Sequence, residues 1–130
     1  MQTNKVVPRV RILVIDDNAE MRFLLEQVLQ AAGYEVGVAA NGNQGLDLQC
    51  AKPACLLITD ILMPEKGGLE TIIEFRNNFP TVPIITISGR SSTGFFLYMA
   101  KRLGAIRTIE KPFKPHELLA AVEEALKLKK

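Results

Sequence analysis

The stretch Val10-Arg11-Ile12-Leu13-Val14-Ile15-Asp16-Asp17 decides the fold, because a mostly apolar run typical of a buried strand ends in two carboxylates. Three later runs end in a residue that could also handle a phosphoryl group. They are residues 55–59 before Asp60, residues 83–87 before Ser88 and residues 106–110 before Lys111. Ligands of an open parallel sheet bind outside the carboxyl ends of its strands. We therefore predict that three carboxylates, a hydroxyl and an ammonium meet at one edge of a sheet.

Segments of helical period alternate with the strand-like runs. The clearest predicted helix begins at the cap Asn18 and stops at Gly33, with apolar residues at helical spacing. Those residues are Met21, Leu24, Leu25, Val28, Leu29 and Ala32. Strands are predicted at residues 10–15, 34–39, 55–59, 82–87 and 106–109, and the last helix at 115–128. Five strand–helix units indicate an α/β fold, a doubly wound five-stranded parallel sheet with helices on both faces.

Length and composition indicate one globular domain. The chain has 130 residues, of which 48% are hydrophobic and 23% charged, and its net charge is +2. This charge gives no argument for nucleic acid or a membrane surface, and no apolar run approaches the roughly 18 residues of a spanning helix. Cys50 and Cys55 form no metal or redox motif and fit a reducing cytoplasm. We expect a cytoplasmic protein with a flexible leader at residues 1–9 and one domain at 10–130.

Five motifs in chain order resemble the receiver domain of response regulators (CheY-like) in two-component signal transduction. The resemblance covers residues from about 10 to 128 and implies a flavodoxin-like strand order, 2-1-3-4-5. The motifs are Asp16-Asp17, Asp60, Met63-Pro64 with Gly68, Ser88-Gly89, and Lys111-Pro112-Phe113. Each motif alone is weak, but their order and their positions after the predicted strands make a strong signal.

The resemblance implies that Asp60 is a carboxylate nucleophile that becomes an aspartyl phosphate. It also implies a Mg²⁺ ion, a hard cation that offsets the repulsion between carboxylates and a phosphoryl group. Asp17 and Asp60 are then direct ligands, Asp16 acts through water, and the backbone carbonyl of Leu62 adds a further ligand.

Lys111 and Ser88 complete the site that the resemblance implies. Lys111 is a mobile positive charge that pairs with Asp60 or with the incoming phosphoryl oxygen. Ser88 supplies a hydroxyl for the phosphoryl group, and Gly89 leaves access to Asp60. We predict a cis Lys111-Pro112 bond, which would direct the ammonium over the strand ends.

The fifth strand departs from the family pattern, because Thr108 stands where receivers usually have an aromatic residue. We therefore expect signalling by loop and helix displacement instead of an aromatic rotamer change. In the fourth helix, Phe95 and Tyr98 are expected outside the inward stripe, either as scattered exposed residues that need no explanation or, with Arg102, as part of a partner surface. The resemblance implies that such a surface is shared by the fourth helix, the fifth strand and the last helix. The predicted inward stripe of the fourth helix is Phe96, Met99, Ala100 and Leu103.

We interpret the chain as a phosphoacceptor receiver that switches its protein contacts when Asp60 is phosphorylated. Its expected partners are a sensor histidine kinase or phosphotransfer protein and a downstream protein, with no nucleic acid and no membrane. We expect a monomer or weak dimer that catalyses only its own phosphotransfer and dephosphorylation. Two alternatives remain: a phosphorylation-independent interaction module, which Thr108 favours, and a hydrolase, for which 130 residues leave little room.

Overall fold

A computed structural model describes residues 9–61, 63, 67–89 and 94–128, so the predicted leader lies almost entirely outside the described residues. Strands and helices alternate strictly along the chain. The strands are β1 (Arg11–Ile15), β2 (Glu35–Ala39), β3 (Leu56–Asp60), β4 (Ile84–Ser88) and β5 (Arg107–Glu110). The helices are α1 (Ala19–Ala31), α2 (Gly42–Ala51), α3 (Gly68–Asn78), α4 (Gly94–Leu103) and α5 (Pro115–Leu128).

The five strands form one parallel sheet in the order β2-β1-β3-β4-β5. This confirms the predicted doubly wound α/β fold and its strand order. All carboxyl ends of the strands therefore lie at the same edge of the sheet, as the prediction of a site required. In the part of the chain that the structure describes, none of the helices combines the length and apolarity needed to cross a membrane.

Alternate residues of each strand pack on opposite faces of the sheet. Ile12 and Val14 of β1 belong to a core with α1 and α5, whereas Leu13 and Ile15 belong to a core with α3 and α4. All residues of β3 are buried, as expected for a central strand covered on both sides.

Helix α1 begins and ends where the sequence predicts. The side chain of Asn18 accepts a hydrogen bond from Met21 N at 2.9 Å and caps the helix. Gly33 lies just beyond the end with φ of +99°, a left-handed conformation that favours glycine. The predicted apolar stripe was too wide, since Leu24 is 44% exposed and Ala32 lies outside the helix. Leu25 and Leu29 are the buried residues of this helix, and Met21 and Val28 are partly buried and pack against the same core, as predicted.

The buried face of helix α4 also differs from the prediction. Ala100 is fully buried, and Phe96 and Leu103 pack against the same core, as predicted. Leu97 packs there as well, whereas Met99 is half-buried and does not join that core. The helix is therefore rotated slightly from the predicted orientation.

Candidate functional site

Asp60 is the last residue of β3, one position later than the predicted end of that strand, and it is 8% exposed. The sheet continues past it, because Ile61 N donates to Ile87 O at 3.2 Å. Gly68 N donates to Ile61 O at 2.8 Å and brings the start of α3 against the same backbone. A Cβ at Gly68 would lie 2.6 Å from Ile61 Cα, so only glycine permits this approach. Tight backbone packing therefore holds Asp60 at the site.

Asp16 and Asp17 follow β1 and differ sharply in exposure. Asp16 is fully buried, whereas Asp17 is exposed. Asp16 N donates to Ala39 O at 3.1 Å, and Asp16 Oδ1 accepts from Asn18 N at 2.9 Å. The ligand oxygens of Asp16, Asp17 and Asp60 all lie within 4.8 Å of one another. The structure thus brings together the three predicted carboxylates.

Lys111 joins two of these carboxylates from the end of β5. Its Nζ lies 3.6 Å from Asp16 Oδ2 and 3.5 Å from Asp60 Oδ2. Its backbone N–H donates to Ser88 O at 2.7 Å, which anchors the residue to the end of β4. The Lys111-Pro112 bond is cis, and the prediction is confirmed.

The three carboxylates and one ammonium leave a formal charge of −2 when all are ionised. Burial raises the pKa of the Asp16 carboxyl, and the charge of Asp17 raises it further. The backbone hydrogen bond from Asn18 and the charge of Lys111 lower the same pKa, but burial prevails. Asp16 Oδ2 is buried and faces the Lys111 ammonium at 3.6 Å, just beyond hydrogen-bonding distance, and it has no hydrogen-bond partner among the described residues. A cluster of hard oxygen donors with excess negative charge and an unsatisfied oxygen fits a Mg²⁺ ion.

Ser88 is the last residue of β4 and is 1% exposed. Two residues earlier on the same strand, the Thr86 hydroxyl lies 2.9 Å from the Thr108 hydroxyl of β5, at hydrogen-bonding distance. Thr108 is the predicted departure from the family pattern, but its hydrogen bond with Thr86 was not predicted from the sequence. The sequence does place a threonine two residues before the end of both β4 and β5. This indicates a contact only once the register that pairs Thr86 with Thr108 is known.

Leu62, predicted to offer its backbone carbonyl, lies outside the described residues, as does Pro64. Arg22 was not singled out in the sequence, yet its Nη1 donates to Asp16 O at 2.7 Å. No sequence motif indicates this contact, because it depends on how α1 follows the turn after β1.

Five parallel strands with an acidic cluster and a lysine at their carboxyl ends define an α/β domain with an acidic site. The family described as the response regulator receiver domain matches residues 12–123. The chain therefore belongs to the receiver family of two-component systems.

Two proteins illustrate the similarity in sequence. The chemotaxis protein CheY of Thermotoga maritima is 33% identical over 118 residues, which cover 90% of this chain and 98% of that protein. The transcriptional regulatory protein CpxR of Escherichia coli K12 is 35% identical over 117 residues, which cover 90% of this chain. The matched region is 49% of CpxR, so the chain spans about half the length of that relative.

Solved structures agree with this assignment. A CheY-like receiver domain protein from Methanospirillum hungatei superposes with a TM-score of 0.87 at 28% identity, over 92% of this chain and 95% of that one. The receiver domain of NtrX from Brucella abortus superposes with a TM-score of 0.86 at 31% identity, over 91% of this chain and 99% of that one. The fold and most of its length are therefore shared with known receivers.

Proposed function

We propose that the chain is a phosphoacceptor that is phosphorylated on Asp60 and changes its protein contacts in response. The observation that carries this proposal is the position of the Asp60 carboxylate. It lies at the end of a buried strand, 3.5 Å from the Lys111 ammonium and beside the carboxylates of Asp16 and Asp17.

In the proposed reaction an oxygen of Asp60 attacks the phosphorus of a phosphohistidine donor. The new P–O bond forms as the P–N bond to the donor imidazole breaks, and the imidazole nitrogen takes the electron pair of that bond. Lys111 offsets negative charge on Asp60 and on the phosphoryl oxygens. Ser88 offers a hydroxyl to a phosphoryl oxygen. Lys111 and Ser88 thus position the phosphoryl group and offset its negative charge, and phosphoryl transfer depends mainly on these two effects.

Asp16, Asp17 and Asp60 are the residues that would hold Mg²⁺, with the Leu62 carbonyl as the further ligand that the family pattern implies. The ion would supply positive charge that offsets repulsion between the carboxylates and the phosphoryl oxygens. The excess negative charge of the cluster and the unsatisfied Asp16 Oδ2 support this assignment.

The proposed donor is a sensor histidine kinase or a phosphotransfer protein, and the proposed output is a contact with a downstream protein. Phe95 and Tyr98 are 64% and 58% exposed, and Arg102 lies over the Tyr98 ring at 5.9 Å from its centroid. This exposed aromatic surface on α4 supports a partner site. We propose no turnover of other substrates: the chain would catalyse only transfer to, and loss from, its own Asp60.

Intact-mass measurement with acetyl phosphate tests the proposal. With Mg²⁺ we expect one added phosphoryl group, and with a chelator we expect none. The matched control is Asp47→Asn, which removes an exposed carboxylate of α2 and should leave labelling unchanged. A wild-type chain that stays unlabelled across several donors, yet still binds partners, would favour the phosphorylation-independent interaction module.

A further inference from the structure

Arg22 makes a contact with the acidic site that the proposed reaction does not use. It lies in α1, is half-buried, and its Nη1 donates to Asp16 O at 2.7 Å. The acceptor is a backbone carbonyl, so the guanidinium does not neutralise a carboxylate through this bond. Its direct effect is on the direction of one peptide group.

That carbonyl belongs to the peptide unit that joins Asp16 to Asp17. Because a peptide unit is planar, holding its oxygen also fixes the direction of the Asp17 N–H and Cα. Two other hydrogen bonds hold the rest of Asp16. Its backbone N–H donates to Ala39 O, and its side chain accepts from Asn18 N. The Arg22 bond therefore holds the peptide unit that precedes Asp17, and the bond from Asn18 N to Asp16 Oδ1 holds the peptide unit that follows it.

The Asp17 side chain has no comparable support. It is exposed, and among the described residues it has no hydrogen bond or ion pair of its own. Its place within 4.8 Å of the Asp16 and Asp60 oxygens therefore depends on its backbone. Any residue that orients this backbone also sets the geometry of the carboxylate cluster.

We propose that Arg22 is a positioning residue that sets the orientation of Asp17 through the Asp16 carbonyl, and thereby the Mg²⁺ affinity of the Asp16–Asp17–Asp60 cluster. The affinity part of this inference rests on the proposed function, whereas the orientation part concerns the metal-free protein.

The two possible roles of Arg22, as a nearby charge or as a positioning residue, predict opposite effects of Arg22→Gln on Mg²⁺ binding. If Arg22 acted only as a nearby positive charge, Arg22→Gln would tighten Mg²⁺ binding, because it removes repulsion between two cations. If Arg22 positions Asp17, the same change weakens binding. Loss of groups that orient metal ligands typically lowers metal affinity by tenfold or more, so we expect an increase of about tenfold in the Kd for Mg²⁺.

The experiment is calorimetric titration of the metal-free chain with MgCl₂. Arg22→Gln should raise the Kd by about tenfold, and Arg22→Lys, which keeps a donor and the charge, should restore part of the loss. Arg76→Gln is the matched control, since Arg76 Nη1 also donates to a backbone carbonyl, that of Pro80 at 3.0 Å, at the end of α3. It should leave the Kd unchanged. An unchanged or lower Kd in Arg22→Gln would overturn the proposal.

A second readout separates this proposal from the proposed function. In ¹⁵N spectra of metal-free protein, Arg22→Gln should move the Asp17 amide resonance, and Arg76→Gln should not. If Arg22→Gln does not fold, Arg22→Lys carries the same comparison with a smaller shift. An unmoved Asp17 amide overturns the positioning role, whatever the metal does. A wild-type chain without measurable Mg²⁺ binding, together with a moved Asp17 amide, would contradict the metal site and retain the positioning role.

Discussion

Replacing Thr108 by valine removes one hydroxyl of the pair that joins β4 to β5. Its partner, the hydroxyl of Thr86, belongs to a residue that is 0% exposed, so water does not replace the lost contact. A buried polar group left without a partner costs about 1–3 kcal/mol, and we expect Thr108→Val to lower the free energy of unfolding by roughly 2 kcal/mol.

The partner substitution, Thr86→Val, should lower the free energy of unfolding by less. Thr86→Val leaves the hydroxyl of Thr108, which is half-buried and can turn toward solvent, so we expect a loss of about 0.5–1.5 kcal/mol. The double variant removes both hydroxyls and keeps the shape of both side chains, which is nearly neutral in comparable cases. The two single losses should therefore add to more than the loss in the double variant.

Urea unfolding of the four proteins measures these differences. With a slope of about 2 kcal/mol per M, a loss of roughly 2 kcal/mol moves the unfolding midpoint of Thr108→Val by about 1 M. Equal midpoints for the two single variants, or strictly additive losses, would refute the reasoning. Strictly additive losses would mean that the two hydroxyls act independently, and equal midpoints would mean that the deeper burial of Thr86 does not set the cost of leaving it without a partner.

Two further predictions concern the charge and the output of the site. Burial raises the pKa of Asp16 above its ordinary value of 3.8, so in chelator the free energy of unfolding should fall as pH rises through the raised pKa. Asp16→Asn should lack this loss, and parallel pH profiles of the two proteins would contradict it. Beryllofluoride, a phosphoryl mimic, should change amide exchange from Ser88 to Phe95 and Tyr98. Changes that stay near Asp17 and Asp60 would indicate phosphate binding without switching.

The strands and the main site residues could be predicted because their signals are local, whereas the strand order was predicted from the family resemblance. Apolar runs ending in Asp16-Asp17, Asp60, Ser88 and Lys111 identify both the strands and the edge at which they end. Strand bounds were less accurate: β3 and β4 each include the functional residue that was placed just after them. Sheet hydrogen bonds continue to these positions, and a sequence pattern does not show where pairing stops.

The contacts that the sequence did not predict depend on relations between elements. The hydrogen bond between Thr86 and Thr108 requires a particular register of two strands. The contact of Arg22 with the Asp16 carbonyl requires the angle at which α1 leaves the sheet. The 44% exposure of Leu24 depends on how much of α1 the sheet covers. Helical spacing alone predicts a face but not its width.

The proposal that Asp60 accepts the phosphoryl group is tested most directly by locating that group. The chain is treated with acetyl phosphate and Mg²⁺, and then with borohydride, which reduces an aspartyl phosphate to homoserine. Peptide mass spectrometry reads the position of the homoserine. We expect it at residue 60, with none in Asp60→Asn or in the sample treated with chelator. Homoserine at position 16 or 17, or a phosphoryl group that persists in Asp60→Asn, would contradict the proposal that Asp60 is the phosphoacceptor.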